Sequence, residues 1–145
     1  RLYPVGRLDY DTSGLIILTN DGNLTNLLIH PSYEVKKDYI VKIDEKVDPN
    51  KIKKLKYGVN IDNYKVKADR VKIKTMHKDK TIIQITIHEG KNHQIKKMFE
   101  AIGYKVSGLK REKFAFLDLK GLKSGEYRHL NTKEVKKLYN LKNTE

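Results

Sequence analysis

The segment PVGRLDYDTSGLIILTNDG, residues 4–22, brings three carboxylates close to one arginine in a chain that is otherwise rich in lysine. Asp9 and Asp11 lie two positions apart, Asp21 follows ten residues later, and Arg7 precedes all three. A fixed carboxylate can act as a nucleophile, stabilise positive charge that develops during a reaction, or bind a metal ion. The segment therefore contains the first candidates for catalytic residues.

A metal site built from Asp9 and Asp11 is the weaker of these interpretations. Residues two positions apart face the same side only in a regular strand, and the glycines that flank this pair argue against one. Asp21 precedes leucines at helical spacing, so its side chain is predicted to cap a short helix.

A second group of polar residues opens a helix that is predicted to begin near Asn92 and to end at Gly103. Lys96 and Lys97 fall near its first turn, where the helix dipole disfavours cations. This placement suggests a carboxylate or a phosphate as their partner, and a solvated lysine pair is the alternative. The apolar face of this helix has the spacing i, i+3, i+4 and i+7: Ile95, Met98, Phe99, Ile102.

The charge of the chain points to a polyanionic partner. Lys and Arg number 31 against 18 Asp and Glu, which gives a formal charge of +13. A basic excess of this size on a folding chain favours nucleic acid as the partner. Only five of the 31 cations are arginines, however, so a lysine-rich proteome with ordinary solvated faces is the competing explanation.

Several function classes find no support in the composition. The chain has no cysteine, which excludes disulfides, thiolate metal sites and a cysteine nucleophile and fits a cytoplasmic location. The five histidines lack metal-ligand spacing, so no metal is predicted. No apolar stretch is long enough to span a membrane, and no export signal is visible.

The hydrophobic pattern of the rest of the sequence predicts alternating strands and short helices. A length of 145 residues fits a single domain. Helices are predicted after Asp21, Asp48 and Asn131, the last with a capping box to Glu134. The arrangement favours an α+β fold, with a mainly antiparallel mixed sheet and a few helices packed on it. Strands are predicted at 15–18, 39–43, 64–68, 71–74, 81–87, 105–109 and 114–119.

Four segments together resemble the bacterial ribosomal-RNA pseudouridine synthases that modify single small- or large-subunit sites. They are GRLDYDTSGLIILTNDG at 6–22, HPSYEVKKDYIVKI at 30–43, EGKNHQIKKMFEAIGYKV at 89–106 and GLKSGEYRHL at 121–130. The resemblance covers about half of the chain, and the first segment is long and specific. It implies isomerisation of uridine to pseudouridine in ribosomal RNA without a cofactor, and the form PVGRLD leans toward large-subunit RNA.

The resemblance also implies residue roles. Asp9 falls on the family's catalytic aspartate, Tyr39 on the tyrosine placed against the uracil, and Lys96 on the basic residue that pairs with the aspartate. Ile95 resembles the apolar contact to the base, and Arg7 a residue that engages RNA where the base has left. Asp11 and the residues after it then build the turn that holds the aspartate.

Four further residues of these segments are assigned to substrate binding: Lys37, Asn92, Gln94 and Lys97. Basic residues that flank the segments are candidates for phosphate contacts, although each one taken alone is more simply a solvated charge. They are Arg1, Lys36, Lys37, Lys91, Lys97, Lys110, Arg111 and Arg128.

Family members usually carry a small RNA-binding domain and a further strand before the aspartate motif, which residues 1–145 lack. The resemblance therefore implies a truncated catalytic domain, whose exposed sheet edge could support a strand-exchanged dimer. Two alternatives from other classes stay open: a noncatalytic RNA-binding or ribosome-associated module on the same fold, and a DNA-binding domain, which lacks a recognisable helix-turn-helix or zinc motif.

Overall fold

The computed structural model describes residues 1–91 and 93–141, and its elements confirm the α+β prediction. The helices are α1 (Gly22–Ile29), α2 (Pro49–Tyr57), α3 (Gln94–Ala101) and α4 (Thr132–Tyr139). The strands are β1 (Tyr3–Pro4), β2 (Thr12–Gly14), β3 (Leu18–Thr19), β4 (Lys37–Ile43), β5 (Val59–Ile61), β6 (Tyr64–Val66), β7 (Arg70–His77), β8 (Lys80–Ile87), β9 (Gly108–Phe114) and β10 (Leu117–Asp118).

One sheet of six strands organises the molecule. Its order is β10-β9-β4-β8-β7, and these neighbours are all antiparallel. Strand β2 pairs with β9 in parallel, which attaches the acidic segment near the N-terminus to this sheet. The short pairs β1–β3 and β5–β6 form two smaller sheets beside it.

Two apolar clusters hold these layers together. The larger lies on one face of the sheet, where alternate residues of β8 such as Ile83 and Ile85 are fully buried with Met98 and Phe99 of α3. Leu55 of α2 belongs to the same cluster. The smaller cluster joins α1 and α4 through Leu28 and Leu138 and includes Phe114 at the end of β9.

The predicted helix caps are confirmed for three helices. The Asp21 carboxylate accepts hydrogen bonds from two backbone amides of α1, and Asp48 accepts one from Asn50 at the start of α2. Asn131 and Glu134 form the predicted capping box of α4. Helix α3 instead begins after His93, whose side chain makes no capping hydrogen bond; Asn92, the predicted cap, lies outside the described residues.

Three strand predictions differ from the structure. The apolar run 15–18 is not a continuous strand. Leu15 and Ile17 are buried in the connection between β2 and β3, and β3 begins only at Leu18. The predicted strands 105–109 and 114–119 are replaced by the single longer strand β9 and the two residues of β10. Ala115, with a φ of 56°, turns the chain between them.

Among the described residues, no helix is both long and apolar enough to cross a bilayer.

Candidate active site

A cavity of about 530 Å³ opens at one end of the sheet face that α2 and α3 cover elsewhere. Its walls come from the loop before β2, the start of β4, the ends of β8 and β9, and the first turn of α3. Both predicted functional segments thus reach one site. The predicted site residues that line it are Arg7, Asp9, Lys37, Tyr39, Gln94 and Ile95.

Asp9 lies on the cavity wall at the start of a tight turn. Its carbonyl accepts a hydrogen bond of 2.9 Å from the Thr12 backbone amide, and β2 begins at that residue. The parallel pairing of β2 with β9 therefore fixes the turn to the central sheet. The Asp9 side chain is 34% exposed, so its carboxylate is accessible from the cavity.

Among the residues that the structure describes, His93 is the partner of the Asp9 carboxylate. Its Nδ1 lies 3.2 Å from Asp9 Oδ2, and its backbone adopts a left-handed conformation with φ of 51° just before α3. Sequence reasoning missed this contact, because the histidines were considered only as metal ligands. The signal that could have found it is the place of His93 inside the segment EGKNHQIKK, directly before the helix.

The expected pair between Lys96 and Asp9 is wrong in this structure. Lys96 Nζ donates to the Asp11 carboxylate instead, and this contact lowers the pKa of Asp11. The physical reason is the geometry of α3: Ile95 turns into the cavity, and the next residue projects about 100° further around the helix, toward the outer part of the turn. Lys96 therefore secures the loop that carries Asp9.

Lys97 does not line the cavity, and its assignment to substrate binding stays a prediction. Its ammonium donates to Asp62 in the turn between β5 and β6, and this hydrogen bond raises the pKa of Lys97. The two lysines at the start of α3 thus have carboxylate partners, which is one of the two explanations that their position suggested. Asn92, assigned to substrate binding as well, lies outside the described residues.

Tyr39 and Ile95 provide the flat and apolar parts of the wall. Tyr39 is half-buried on β4, with Arg111 of β9 and Ile85 of β8 as its cross-strand partners. Ile95 is 4% exposed at the first turn of α3. An aromatic ring and an aliphatic side chain on facing elements suit a planar base that enters between them.

Gln94 is buried, and its amide holds the loop that precedes α3. Its Oε1 accepts from the Lys91 backbone amide at 3.2 Å, and its Nε2 lies 3.3 Å from a Glu89 carboxylate oxygen. Its polar atoms are thus engaged with the protein. Gln94 shapes the cavity rather than offering it a free hydrogen-bonding group.

Two cations of the cavity wall, Lys37 and Arg111, lie close enough to influence each other. Lys37 Nζ donates to the Glu89 carbonyl at 3.3 Å. Burial, assisted by the nearby Arg111 guanidinium, lowers the pKa of the Lys37 ammonium to about 8, and the Glu89 carboxylate opposes this shift. Arg111 is 3% exposed, so it is not the solvated phosphate contact that its place in the sequence suggested.

In the described part of the chain, no group of three or more His, Asp or Glu side chains is arranged to hold a metal ion.

The comparisons agree with the resemblance seen in the motifs. The family model for RNA pseudouridylate synthase matches residues 1–101. The chain is 49% identical over 140 residues to the ribosomal large subunit pseudouridine synthase B of Bacillus subtilis (strain 168), covering 95% of this chain and 57% of that protein. It is 36% identical over 135 residues to the ribosomal small subunit pseudouridine synthase A of Vibrio vulnificus (strain CMCP6), covering 92% and 58%.

A solved structure described as a crystal structure of pseudouridylate synthase superposes with a TM-score of 0.82 at 36% identity, over 94% of this chain and 59% of that one. The chain thus spans little more than half the length of the relatives it matches. Because the family model covers most of the chain and these relatives match more than nine tenths of it, the protein belongs to the RNA pseudouridylate synthase family.

Proposed function

We propose that this protein converts uridine to pseudouridine at one position of ribosomal RNA, with large-subunit RNA as the substrate and Asp9 as the catalytic carboxylate. Family membership supports the reaction, and the higher identity to the relative named for the large subunit supports the choice of RNA. The observation that carries the site assignment is the accessible Asp9 carboxylate on the wall of a cavity that also contains Tyr39 and Ile95.

The reaction is an isomerisation and needs no external reagent or cofactor. The bond from ribose C1′ to uracil N1 breaks, the base turns, a bond forms between C1′ and C5, and the proton on C5 is replaced by one on N1. Asp9 attacks C1′ or stabilises the positive charge that develops there. His93, 3.2 Å from Asp9, orients the carboxylate.

The target uridine must leave its RNA stack to reach Asp9. Extrusion costs a few kcal/mol of stacking and pairing, least for a base in a loop. Tyr39 offers the base a ring to stack on, and Ile95 contacts it from the α3 side. Arg7 is exposed at the rim, which suits contact with RNA around the extruded nucleotide.

Replacement of Asp9 by asparagine tests the proposal. Asp9→Asn keeps the shape of the side chain and removes its charge, so we expect pseudouridine formation to fall by on the order of 10³–10⁴ while RNA binding is retained. The measurement is chemical mapping of pseudouridine in unmodified large- and small-subunit ribosomal RNA. Asp79→Asn, in the turn between β7 and β8, is the matched control and should keep full activity.

The competing function is a noncatalytic RNA-binding module on the same fold. This function predicts that the parent chain binds RNA tightly but forms no pseudouridine. It also predicts that Asp9→Asn leaves RNA binding unchanged. Competition between RNA and DNA of matched length separates both functions from a DNA-binding domain. Modification of a small-subunit uridine would overturn the proposed substrate and leave the reaction intact.

The single truncated catalytic domain, the strand-exchanged dimer and the cytoplasmic location stay predictions.

A further inference from the structure

Arg111 is the most deeply buried cation on the cavity wall. It lies on β9, the neighbour of β4 in the sheet, and is the cross-strand partner of Tyr39. Its side chain is 3% exposed and still lines the cavity. Burial of a guanidinium is costly unless the charge has partners, so the site must gain something from it.

The backbone and Nε of Arg111 are fixed by the loop that carries Asp9. Arg111 Nε donates to the Leu15 carbonyl at 2.9 Å, and the Arg111 carbonyl accepts from the Leu15 amide at 2.8 Å. Gly14 permits this approach, because its φ is 114° and a Cβ there would overlap the Arg111 backbone. The guanidinium is thereby held in one orientation relative to the Asp9 loop.

One end of the guanidinium has no partner in the described part of the chain. Arg111 Nη2 is buried and makes no hydrogen bond to a described residue. Nor does any described carboxylate lie within 4.0 Å of the guanidinium nitrogens. Because Arg111 lines the cavity, a guanidinium that is held by the Leu15 carbonyl and keeps an unpaired terminal donor is arranged to meet a ligand acceptor.

The proposed reaction produces such an acceptor. When the C1′–N1 bond breaks, its electron pair moves to the uracil, and the negative charge spreads over N1 and the carbonyl oxygens O2 and O4. The charge is consumed when C5 bonds to C1′ and its proton is replaced by one on N1. A fixed donor aimed at such an oxygen stabilises the transition state more than the neutral ground state.

We propose that the terminal nitrogens of the Arg111 guanidinium donate a hydrogen bond to a carbonyl oxygen of the uracil and stabilise the negative charge of the detached base. This inference rests on the proposed function and adds a catalytic residue to it. Lys37 also lines the cavity and interacts electrostatically with Arg111, so it is a second cation near the proposed position of the base.

The surroundings of Arg111 favour a base over a phosphate. Its guanidinium carbon lies 5.0 Å from the centre of the Phe114 ring. Together with Tyr39 and Leu109 this ring makes an apolar, aromatic wall, which suits a planar heterocycle and not a strongly hydrated phosphate. Exposed cations at the rim, Arg7 and Lys91, are better placed for phosphates.

Two substitutions separate this role from a structural one. Arg111→Gln keeps a nitrogen at the position of Nε, which can still donate to the Leu15 carbonyl, and removes both terminal nitrogens. Arg111→Met removes every donor. We expect both variants to lower the single-turnover rate by about 10²–10³-fold with RNA affinity within about threefold of the parent. Lys42→Met, which removes one exposed charge from the same sheet, is the control and should keep the parent rate.

Sulfur substitution in the substrate locates the contact. Once the modified uridine is mapped, short RNAs carrying 2-thiouridine or 4-thiouridine at that position are compared with uridine. Sulfur is a weaker hydrogen-bond acceptor than oxygen, so one of the two analogues should slow the parent enzyme. The same analogue should cause no additional loss in Arg111→Gln, because the donor is already absent.

The outcomes are distinct. A parent rate in Arg111→Gln with loss of folding or activity only in Arg111→Met shows a structural role and overturns the inference, while the proposed function stands. Equal thio effects in the parent and Arg111→Gln also overturn it. If the parent chain forms no pseudouridine in any ribosomal RNA, both the proposed function and the inference fail.

Discussion

At the scale of single residues, the three carboxylates of the first motif have three different partners. Asp9 faces the cavity beside His93, Asp11 receives Lys96, and Asp21 caps α1 while Tyr139 donates to its second oxygen. Only Asp9 is both accessible from the cavity and fixed by a turn. The three aspartates have different roles because they have different partners, although their residue type is the same.

Lys37 provides a prediction at this scale. Its pKa lies at about 8 in the folded protein against 10.5 for the ordinary side chain, so below pH 8 the fold must hold a desolvated ammonium. We expect Lys37→Met to stabilise the protein at pH 7 by on the order of 1–2 kcal/mol. Between pH 8 and 10.5 the unfolded state binds more protons than the folded state, so the stability of the parent rises with pH. The difference in stability between Lys37→Met and the parent therefore narrows over this range.

Urea unfolding at pH 7 and pH 10 measures this effect. Lys42→Met, at an exposed position of the same strand, should show no comparable change between the two pH values. The groups that face Lys37 are Arg111 and Glu89, and both are unchanged in the variant. A variant less stable than the parent at pH 7 would contradict the desolvation argument.

At the scale of elements, α3 and α4 are tied down by charged contacts at their first turns. Lys96 and Lys97 connect α3 to two separate turns of the chain. In α4, Glu134 accepts from the Asn131 amide and from both terminal nitrogens of Arg128, which links the preceding loop to the helix. Such contacts compensate for the backbone hydrogen bonds that cannot form within the helix at its ends.

The capping box of α4 contributes to the stability of the fold. Asn131→Ala should lower the free energy of unfolding by about 1 kcal/mol at neutral pH. The hydrogen bonds from Arg128 and Asn131 lower the pKa of Glu134 to about 2. The contribution of Glu134 is therefore complete above the ordinary value of 4.5 and is lost as pH falls toward 2.

Thermal unfolding of Glu134→Gln between pH 2 and pH 6 checks this dependence on pH. The variant should melt below the parent at pH 6 and together with it near pH 2. Glu45→Gln, an exposed loop position, serves as the control and should follow the parent throughout. A difference between Glu134→Gln and the parent that persists unchanged at pH 2 would show that the charge of Glu134 is not responsible.

At the scale of the whole molecule, the charge of +13 suits the proposed RNA substrate. Each phosphate that a cation neutralises releases counterions, so RNA affinity should fall steeply with salt. Lys91 lies at the cavity rim with Nζ 4.3 Å from the centre of the Tyr64 ring. We expect Lys91→Gln to reduce the slope of log K against log salt by about 0.7–0.9.

Filter binding of ribosomal RNA at several salt concentrations measures this slope. Lys78→Gln, in the turn between β7 and β8, removes the same charge away from the cavity. Its slope should match that of the parent if the rim makes the phosphate contacts. Equal losses from both variants would show that the RNA contacts the basic surface without preference for the cavity.

The sequence by itself determined the elements whose signals are local. The caps at Asp21, Asp48 and Asn131 and the alternation in β8 depend on residues within a few positions of one another, and the structure confirms them. The family was also readable from the motif segments, because each of them is a contiguous run of residues. Strand limits around β9 were wrong because the turn at Ala115 has no strong local signal.

Only the tertiary structure decided which charges meet. Lys96 and Asp11 are 85 residues apart, and Arg111 meets the Leu15 carbonyl across 96 residues. Such contacts depend on strand register and on the rotation of α3, which residue types do not specify. The sequence therefore determined which residue types are present, such as Asp9 and the cations, and the tertiary structure decided that His93 lies against Asp9 and that Arg111 is buried against Leu15 through the pairing of β2 with β9.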